Sequence, residues 1–408
     1  MQQQATSLRL WINNPSVPEL EPVAVGSTAR IEAGGWRWTR DATIEGALEV
    51  AGRLTHRPQD RFDDNTGEPE PAYLKLADTG RLHVMAGGRF TNRSDALMQG
   101  MLVVDGELQN RDGASLRIER GLQLAGRLHN EGSLQFTFGS GVELASGAAA
   151  RLGGHVDNGA LWRNLGKVEV TGRIENLGGF DLRPGSVLHM AAGAHFDNVE
   201  WGEGWVFASA GSTVRVDGRL SGREDVAGLT LQGGALVGQG RVEGFTRVAG
   251  GELRPGGEER EVGTLTLAGR VDLQSARLTF DLRDGASDFI DASGAVVTMD
   301  DGRLDLQLLF GDGAPAAGRQ WTLLTTAAGS WLDTARIDVL PQVPAFGGGW
   351  TVWRPDTALL TTTLRFEAGV LSYHVTAVPE PQTWRMLALG LGALGAAARR
   401  RRGTQSTA

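Results

Sequence analysis

A five-residue unit recurs through the first half of the chain and constrains the fold more than any other feature. The unit reads glycine, any residue, an apolar residue, any residue, asparagine. Successive asparagines are 18, 20, 28, 18 and 22 residues apart. A period of this size predicts structural repeats stacked on one another. The asparagines of the six copies, the last copy being looser than the others, are Asn92, Asn110, Asn130, Asn158, Asn176 and Asn198.

The segments between these units alternate apolar and polar residues, as in Ser115-Leu116-Arg117-Ile118. A period of two is typical of a strand with one buried face. Strands this short cannot bury that face alone, but stacking one unit on the next buries it continuously. Asparagine tolerates the left-handed backbone conformation, and its side chain can hydrogen-bond to the backbone of its own turn. We therefore expect an internal asparagine ladder at one corner of each coil. We therefore predict an all-β fold, a right-handed parallel β-helix.

Two other folds are compatible with the repeat. Leucine-rich repeats have a period of 20–29 residues, but they need leucines at fixed spacing and often a helix, and neither is evident. An ordinary β-sandwich is the remaining alternative. Glycine supplies 59 of the 408 residues, which indicates many tight turns between short strands.

The chain divides into four predicted regions. Longer strand patterns at 303–310, 320–325 and 358–366 indicate a β cap that closes the open end of the helix. The regions are an N-terminal strand or cap region (1–45), the β-helical repeat domain (46–284), the C-terminal β cap (285–375) and an apolar, basic C-terminal segment (376–408).

Glycine-rich blocks mark the later part of the repeat domain. Leu236-Val237-Gly238-Gln239-Gly240 and Leu253-Arg254-Pro255-Gly256 stand close together. Over about residues 225–330 this succession resembles the last passenger turns of autotransporter-type adhesins. The resemblance supports the β-helical fold and implies no particular activity.

The C-terminal segment has three parts in a fixed order. Two prolines in the first part keep the backbone extended and accessible. The uncharged run 386–398 can enter a bilayer, and the arginines after it favour the cytoplasmic side. At ~1.5 Å per residue the run spans roughly 20 Å of a core of about 30 Å, so we predict a short membrane helix suited to temporary retention. The proline-containing part includes Val378, Pro379, Glu380, Pro381 and Trp384. The membrane anchor includes Met386, Leu387, Leu389, Leu391 and Leu394, and the arginine cluster is Arg399, Arg400, Arg401 and Arg402.

This order resembles the PEP-CTERM sorting domain, in which a Pro-Glu-Pro signature, a short membrane helix and an arginine cluster follow one another. The resemblance implies that an exosortase in the inner membrane recognises the motif, with Glu380 between its prolines as the recognition centre. It also implies cleavage near the motif and passage outward. The implied partners are an exosortase and, transiently, the inner membrane; the implied location is the cell surface or extracellular matrix of a Gram-negative bacterium.

The start of the chain does not match this expectation. A signal peptide needs a basic start followed by 7–15 apolar residues, and residues 1–14 offer neither. Either the start is wrongly assigned or incomplete, or the protein is a cytosolic repeat protein with a fortuitous tail.

Charge and residue types exclude several classes of site. A formal net charge of -8 argues against general nucleic-acid affinity. The absence of cysteine excludes disulfides and thiolate sites. The acidic run 63–70 lacks the spacing of a helix–loop–helix calcium site, so we predict a solvated loop. The seven histidines lack the i, i+4 spacing of a helical zinc site. No metal or cofactor is predicted.

Two functional hypotheses remain. The preferred one is an exported, non-catalytic rod whose lateral surface binds exopolysaccharide or neighbouring cells through many weak contacts. The alternative is a polysaccharide lyase or hydrolase on the same scaffold, with carboxylates such as Asp157, Asp181 and Asp197 supplied by different coils. Trp201 and Trp205 are the best candidates for sugar stacking, although coil-end packing is the more common role of such tryptophans.

Overall fold

The strands of the chain stack in parallel into a β-solenoid with three strands in each coil. We describe a computed structural model, which covers residues 7–8, 24–25, 27–31, 35–38, 42–56, 73–199, 204–225, 227–257, 261–299, 302–345, 348–355, 359–378 and 391. Apart from one 3-10 turn at Thr334–Arg336, the elements named within these ranges are β-strands. The predicted all-β parallel solenoid is confirmed.

Each regular coil gives one short strand to each of three faces, named A, B and C in chain order. Face A contains Thr28–Ile31, Ala47–Val50, Arg81–Val84, Met101–Val104, Gly121–Leu124, Gly141–Leu144, Leu161–Asn164, Gly179–Leu182, Trp205–Ser209 and Ala227–Gln232. Face B contains Gly35–Trp38, Arg53–His56, Arg89–Asn92, Glu107–Asn110, Arg127–Asn130, Ala149–Leu152, Lys167–Val170, Val187–Met190, Thr213–Val216, Ala235–Gly238 and Glu252–Pro255. Face C contains Ala42–Ile44, Tyr73–Leu76, Asp95–Met98, Ser115–Ile118, Ser133–Phe136, His155–Asn158, Arg173–Asn176, His195–Asn198 and Arg219–Ser221. Ser7–Leu8 pairs with the first strand of face A.

The second and fourth residues of each four-residue strand point into the solenoid. In Arg127–Asn130, for example, Leu128 and Asn130 are buried while Arg127 is exposed. Parallel pairing keeps this register from coil to coil, so Leu116 lies beside Leu134. Like residues therefore stack on like residues, and the apolar interior is continuous along the axis.

The glycine that opens each repeat unit is required by close packing between coils. A Cβ on Gly126 would collide with the carbonyl oxygen of Gly106, one coil earlier. A Cβ on Gly106 would likewise collide with the carbonyl oxygen of Gly88. The repeated glycine lets the backbone of each coil approach the coil before it, where any side chain would force the coils apart.

The later coils have longer strands. Arg241–Ala249, Thr264–Gln274 and Phe289–Met299 each cover faces C and A without a break and pair in parallel. Face B continues in parallel through Arg277–Leu282, Leu304–Phe310 and Ile337–Pro344. Parallel stacking thus extends beyond residue 284.

The C-terminal strands pair in antiparallel fashion and cover the end of the solenoid. Val370–Ala377 lies between Arg319–Thr326 and Leu360–Glu367. Trp350–Val352 pairs with Ile337–Pro344. Antiparallel partners occupy hydrogen-bonding groups that an open end would leave exposed.

Candidate functional site

Two ladders of buried asparagines run along the inside of the solenoid. Asn92, Asn110 and Asn130 end successive face B strands and lie in register. Nδ2 of Asn92 donates to Oδ1 of Asn110 at 2.8 Å, and Nδ2 of Asn110 donates to Oδ1 of Asn130 at 2.8 Å. All three side chains are fully buried. Each amide also donates to a backbone carbonyl, so the ladder leaves its donors satisfied.

The second ladder lies at a different corner. Asn158, Asn176 and Asn198 end face C strands. Nδ2 of Asn158 donates to Oδ1 of Asn176, and Nδ2 of Asn176 donates to Oδ1 of Asn198, both at 2.7 Å. In the coil after Asn130, the residue in register with it is Leu152, and Asn158 ends the following strand. The interval of 28 residues is therefore one coil plus one strand. The six asparagines form two ladders at two corners rather than one.

A buried histidine heads the first ladder. His56 Nδ1 lies 2.8 Å from Oδ1 of Asn92, and the two residues are in register. This role was not predicted, because the histidines were considered only as metal ligands. The segment Gly52-Arg53-Leu54-Thr55-His56 matches the repeat unit with histidine in place of asparagine. This match indicates from sequence alone that His56 occupies a ladder position.

A lateral groove of about 670 Å³ lies on face A. The outward positions of four successive strands, Gly141, Leu161, Gly179 and Trp205, are in register along it. A Cβ on Gly179 would lie 2.5 Å from the Trp205 ring, so the glycine lets the indole lie against the strand. Apart from Gly141 and its chain neighbours, no atom of the described residues lies within 4 Å of the place a Cβ on Gly141 would take, so that glycine leaves open space there.

Aromatic, apolar and charged side chains line the groove. Phe138 at its edge is 70% exposed, which is unusual for a phenylalanine. Arg163 and Glu143 form an ion pair with 3.5 Å between Nη1 and Oε1. The same two residues line a neighbouring groove of about 490 Å³. The charged pair therefore lies between the two grooves.

The tryptophans have different roles. Trp205 lines the groove, whereas its suggested partner Trp201 lies outside the described residues. Trp162 is fully buried, stacks at 4.9 Å on Phe180 and donates from Nε1 to the second ladder. Trp321 packs in the cap beside Phe310, as does Trp353. Trp36 and Trp38 belong to a face B strand whose side chains lie outside the described set, and Trp350 begins a cap strand.

The carboxylates considered for catalysis do not converge. Asp157 and Asp197 lie on face C, two coils apart, while Asp181 lies on face A. Each carboxylate is paired, Asp181 with Arg183 at 2.6 Å and Asp157 with His155 at 2.9 Å. The acidic run 63–70, predicted to be a loop, lies outside the described residues.

The strongest electrostatic perturbation lies near the cap end. Asp288 is fully buried, and burial raises its pKa to about 7 although backbone N–H groups of Gly263 and Asp281 donate to it at 2.8 and 2.7 Å. Asp217 on the surface shows the opposite effect. Its partial burial opposes ionisation, but hydrogen bonds from Arg215 and His189 lower its pKa.

The predicted C-terminal residues lie mostly beyond the described part of the chain. Val378 follows the last cap strand, and its N–H donates to the carbonyl of Leu359 at 2.9 Å. Leu391 is described and exposed. Among the described residues, no helix has the length and apolar character needed to cross a bilayer. The residues outside the described ranges are Pro379, Glu380, Pro381, Trp384, Met386, Leu387, Leu389, Leu394, Arg399, Arg400, Arg401 and Arg402.

Comparison with known proteins identifies this segment. Residues 377–402 match the family model of the PEP-CTERM protein-sorting motif. The match confirms the predicted sorting motif, and it implies an exported protein that an exosortase sorts and that is anchored in the membrane before processing. A search of curated proteins found no significant match to the chain.

Proposed function

We propose that the protein is a non-catalytic rod that a Gram-negative bacterium exports, processes by exosortase and displays at its surface or in its extracellular matrix, where it binds exopolysaccharide. The observation that carries this proposal is the sorting motif at residues 377–402. The solenoid provides a rigid body, and rigid presentation favours many simultaneous weak contacts with a polymer.

The junction between cap and motif supports the sorting part of the proposal. The last cap strand is Val370–Ala377, and the matched motif begins at the last residue of this strand. In the proposed membrane-bound form, the apolar run 386–398 forms the anchor and the arginines 399–402 stay cytoplasmic. A protease then meets the Pro-Glu-Pro segment at the edge of a folded body.

The face A groove supports the polysaccharide part of the proposal. Trp205 and Phe138 offer aromatic rings at the groove, and aromatic faces pack well on the C–H surfaces of sugar rings. Gly141 in the floor leaves room for a chain lying along the rod, and Gly179 lets the Trp205 ring lie against its strand. The Glu143 and Arg163 side chains provide acceptors and donors for hydroxyl groups.

Fractionation of the native host tests the sorting proposal. The gene is expressed with its own upstream region, and the wild type is compared with a variant in which Pro379, Glu380 and Pro381 are alanines. We expect the wild type outside the cell and shortened at its C-terminus, and the variant full-length in the membrane. A matched control changes the adjacent Gln382 and Thr383 to alanine and should behave like the wild type. Both proteins remaining full-length in the cytosol would contradict the proposal.

A further inference from the structure

Three metal-ligating side chains meet on face C, away from the groove. His155 and Asp157 are two apart on one strand, so both point outward on the same side. Glu175 lies on the next strand directly beside Asp157. One nitrogen or oxygen from each of the three side chains lies within 4.8 Å of the others. The side chains are about one third to nearly one half exposed, so an ion from solution can reach them.

The charges around this group are unevenly compensated. Asp157, Glu175 and Asp197 lie in register on three successive coils. Like charges directly opposite on neighbouring strands destabilise a sheet. Arg173 contacts Glu175 at 3.1 Å and Asp197 at 3.5 Å, while the close partner of Asp157 is His155 at 2.9 Å. A cation bound by Asp157 together with His155 and Glu175 would therefore relieve the repulsion at the Asp157 end of the row, which Arg173 does not contact.

We propose that His155, Asp157 and Glu175 bind one divalent transition-metal ion, with zinc as the reference case. One imidazole and two carboxylates are ligands that zinc accepts, and three protein ligands leave a position for water or another oxygen ligand. Calcium fits less well because it takes 6–8 oxygen ligands. The two paired strands fix the spacing of the ligands, so few backbone changes accompany binding.

The proposal is independent of export and of polysaccharide binding. The ligands lie on face C, whereas the groove residues lie on face A. Metal binding is therefore measured on the purified full chain, without a polyhistidine tag, by isothermal titration with zinc chloride. We expect one zinc ion per chain at this site and a higher unfolding midpoint in its presence.

Substitutions at the site separate it from adventitious binding. We expect His155→Ala and Glu175→Gln each to weaken zinc binding by at least about 10-fold, since loss even of second-shell partners costs 10–100-fold. The control His129→Ala removes a half-buried histidine that pairs with Glu131 at 3.4 Å on another face, and it should leave the affinity unchanged. Absence of zinc binding, unchanged affinity in both site variants, or an equal loss in the control would overturn the proposal. Circular dichroism of each variant establishes that its fold is retained.

Discussion

Nδ2 of Asn110 donates to Oδ1 of Asn130 at 2.8 Å between two fully buried side chains on adjacent coils. The same Asn110 accepts from Asn92 on the coil before. Asn110 therefore serves as donor to one neighbouring asparagine and as acceptor from the other. Within the closely packed interior, removing the middle member takes its donor from Oδ1 of Asn130 and one acceptor from Nδ2 of Asn92, which keeps its bonds to backbone carbonyls.

The first prediction concerns this middle position. Asn110→Ala should lower the free energy of unfolding by about 2–4 kcal/mol, because a buried donor of Asn92 and a buried acceptor of Asn130 each lose a hydrogen bond. Urea denaturation followed by circular dichroism measures the change. A loss below about 0.5 kcal/mol would contradict the assigned role of the ladder.

Asn164 provides a matched control on another face. It is equally buried, but its register neighbours are Leu144 and Leu182, and its Nδ2 has no hydrogen-bond partner among the described residues. Asn164→Leu should therefore lower the free energy of unfolding far less than Asn110→Leu does. An equal loss in both variants would show that burial of an amide, rather than the ladder, decides stability.

The second prediction concerns the glycine of the repeat unit. Gly126→Ala should destabilise the solenoid by about 1–3 kcal/mol or more, since its Cβ would meet the carbonyl oxygen of Gly106. Gly141→Ala, also in the repeat domain, should be neutral or slightly stabilising because its Cβ would point into open space. Thermal unfolding of both variants checks the contrast, and similar midpoints would refute it.

The third prediction concerns pH. The pKa of Asp288 is raised in the folded state from its ordinary 3.8 to about 7, so the folded protein holds a proton that the unfolded chain releases. The corresponding stability is present below about pH 4 and is lost as the pH rises through 7. Each unit of difference is worth about 1.4 kcal/mol, so the free energy of unfolding should fall by roughly 4 kcal/mol between pH 4 and pH 8.

Asp288→Asn isolates this effect. An amide carries no charge at either pH, so the decline between pH 4.5 and pH 8 should be absent or much smaller in the variant. Carboxyls with a lowered pKa, such as Asp217 and Asp291, change charge at more acidic pH. Denaturation midpoints at three pH values are sufficient. The same decline in both proteins would place the titrating group elsewhere.

The fourth prediction concerns the groove. Trp205→Ala should weaken binding of exopolysaccharide purified from the host by about 3- to 10-fold, the equivalent of one aromatic contact. Gly141→Gln should weaken it as well by filling the open floor, while leaving the strand intact. Trp331, which is 51% exposed in another part of the chain, provides the control Trp331→Ala. Equal binding by the wild type and all three variants would show that the groove does not bind the polysaccharide.

Much of the architecture was predictable because the sequence repeat determines the length and stacking of the strands. The period of about twenty residues and the alternation within Ser115–Ile118 predict stacked short strands, and the structure confirms a parallel solenoid. The patterns at 303–310 and 320–325 correspond to strands Leu304–Phe310 and Arg319–Thr326. Local alternation is a strong signal since stacking imposes the same burial on every coil.

What could not be predicted depends on which strands meet across coils. The spacing of Asn130 and Asn158 alone does not tell whether the ladder continues or moves to another corner. The ladder moves because the residue that lies beside Asn130 on the next coil is Leu152. The meeting of Asp157 with Glu175 likewise requires the pairing of two strands 18 residues apart. The groove arises from glycines that read in sequence as turn residues, although Gly141 and Gly179 begin strands.

The position of Val378 has a mechanical consequence for a protein held by its tail. Tension on the segment that follows enters the fold through this residue, which is bonded to Leu359, and then through strand Val370–Ala377. That strand has neighbours on both sides, so a pull along its direction loads two rows of hydrogen bonds together in shear. Drag on a rod tethered in this way therefore reaches the cap strands before it reaches the coils that carry the repeat surface.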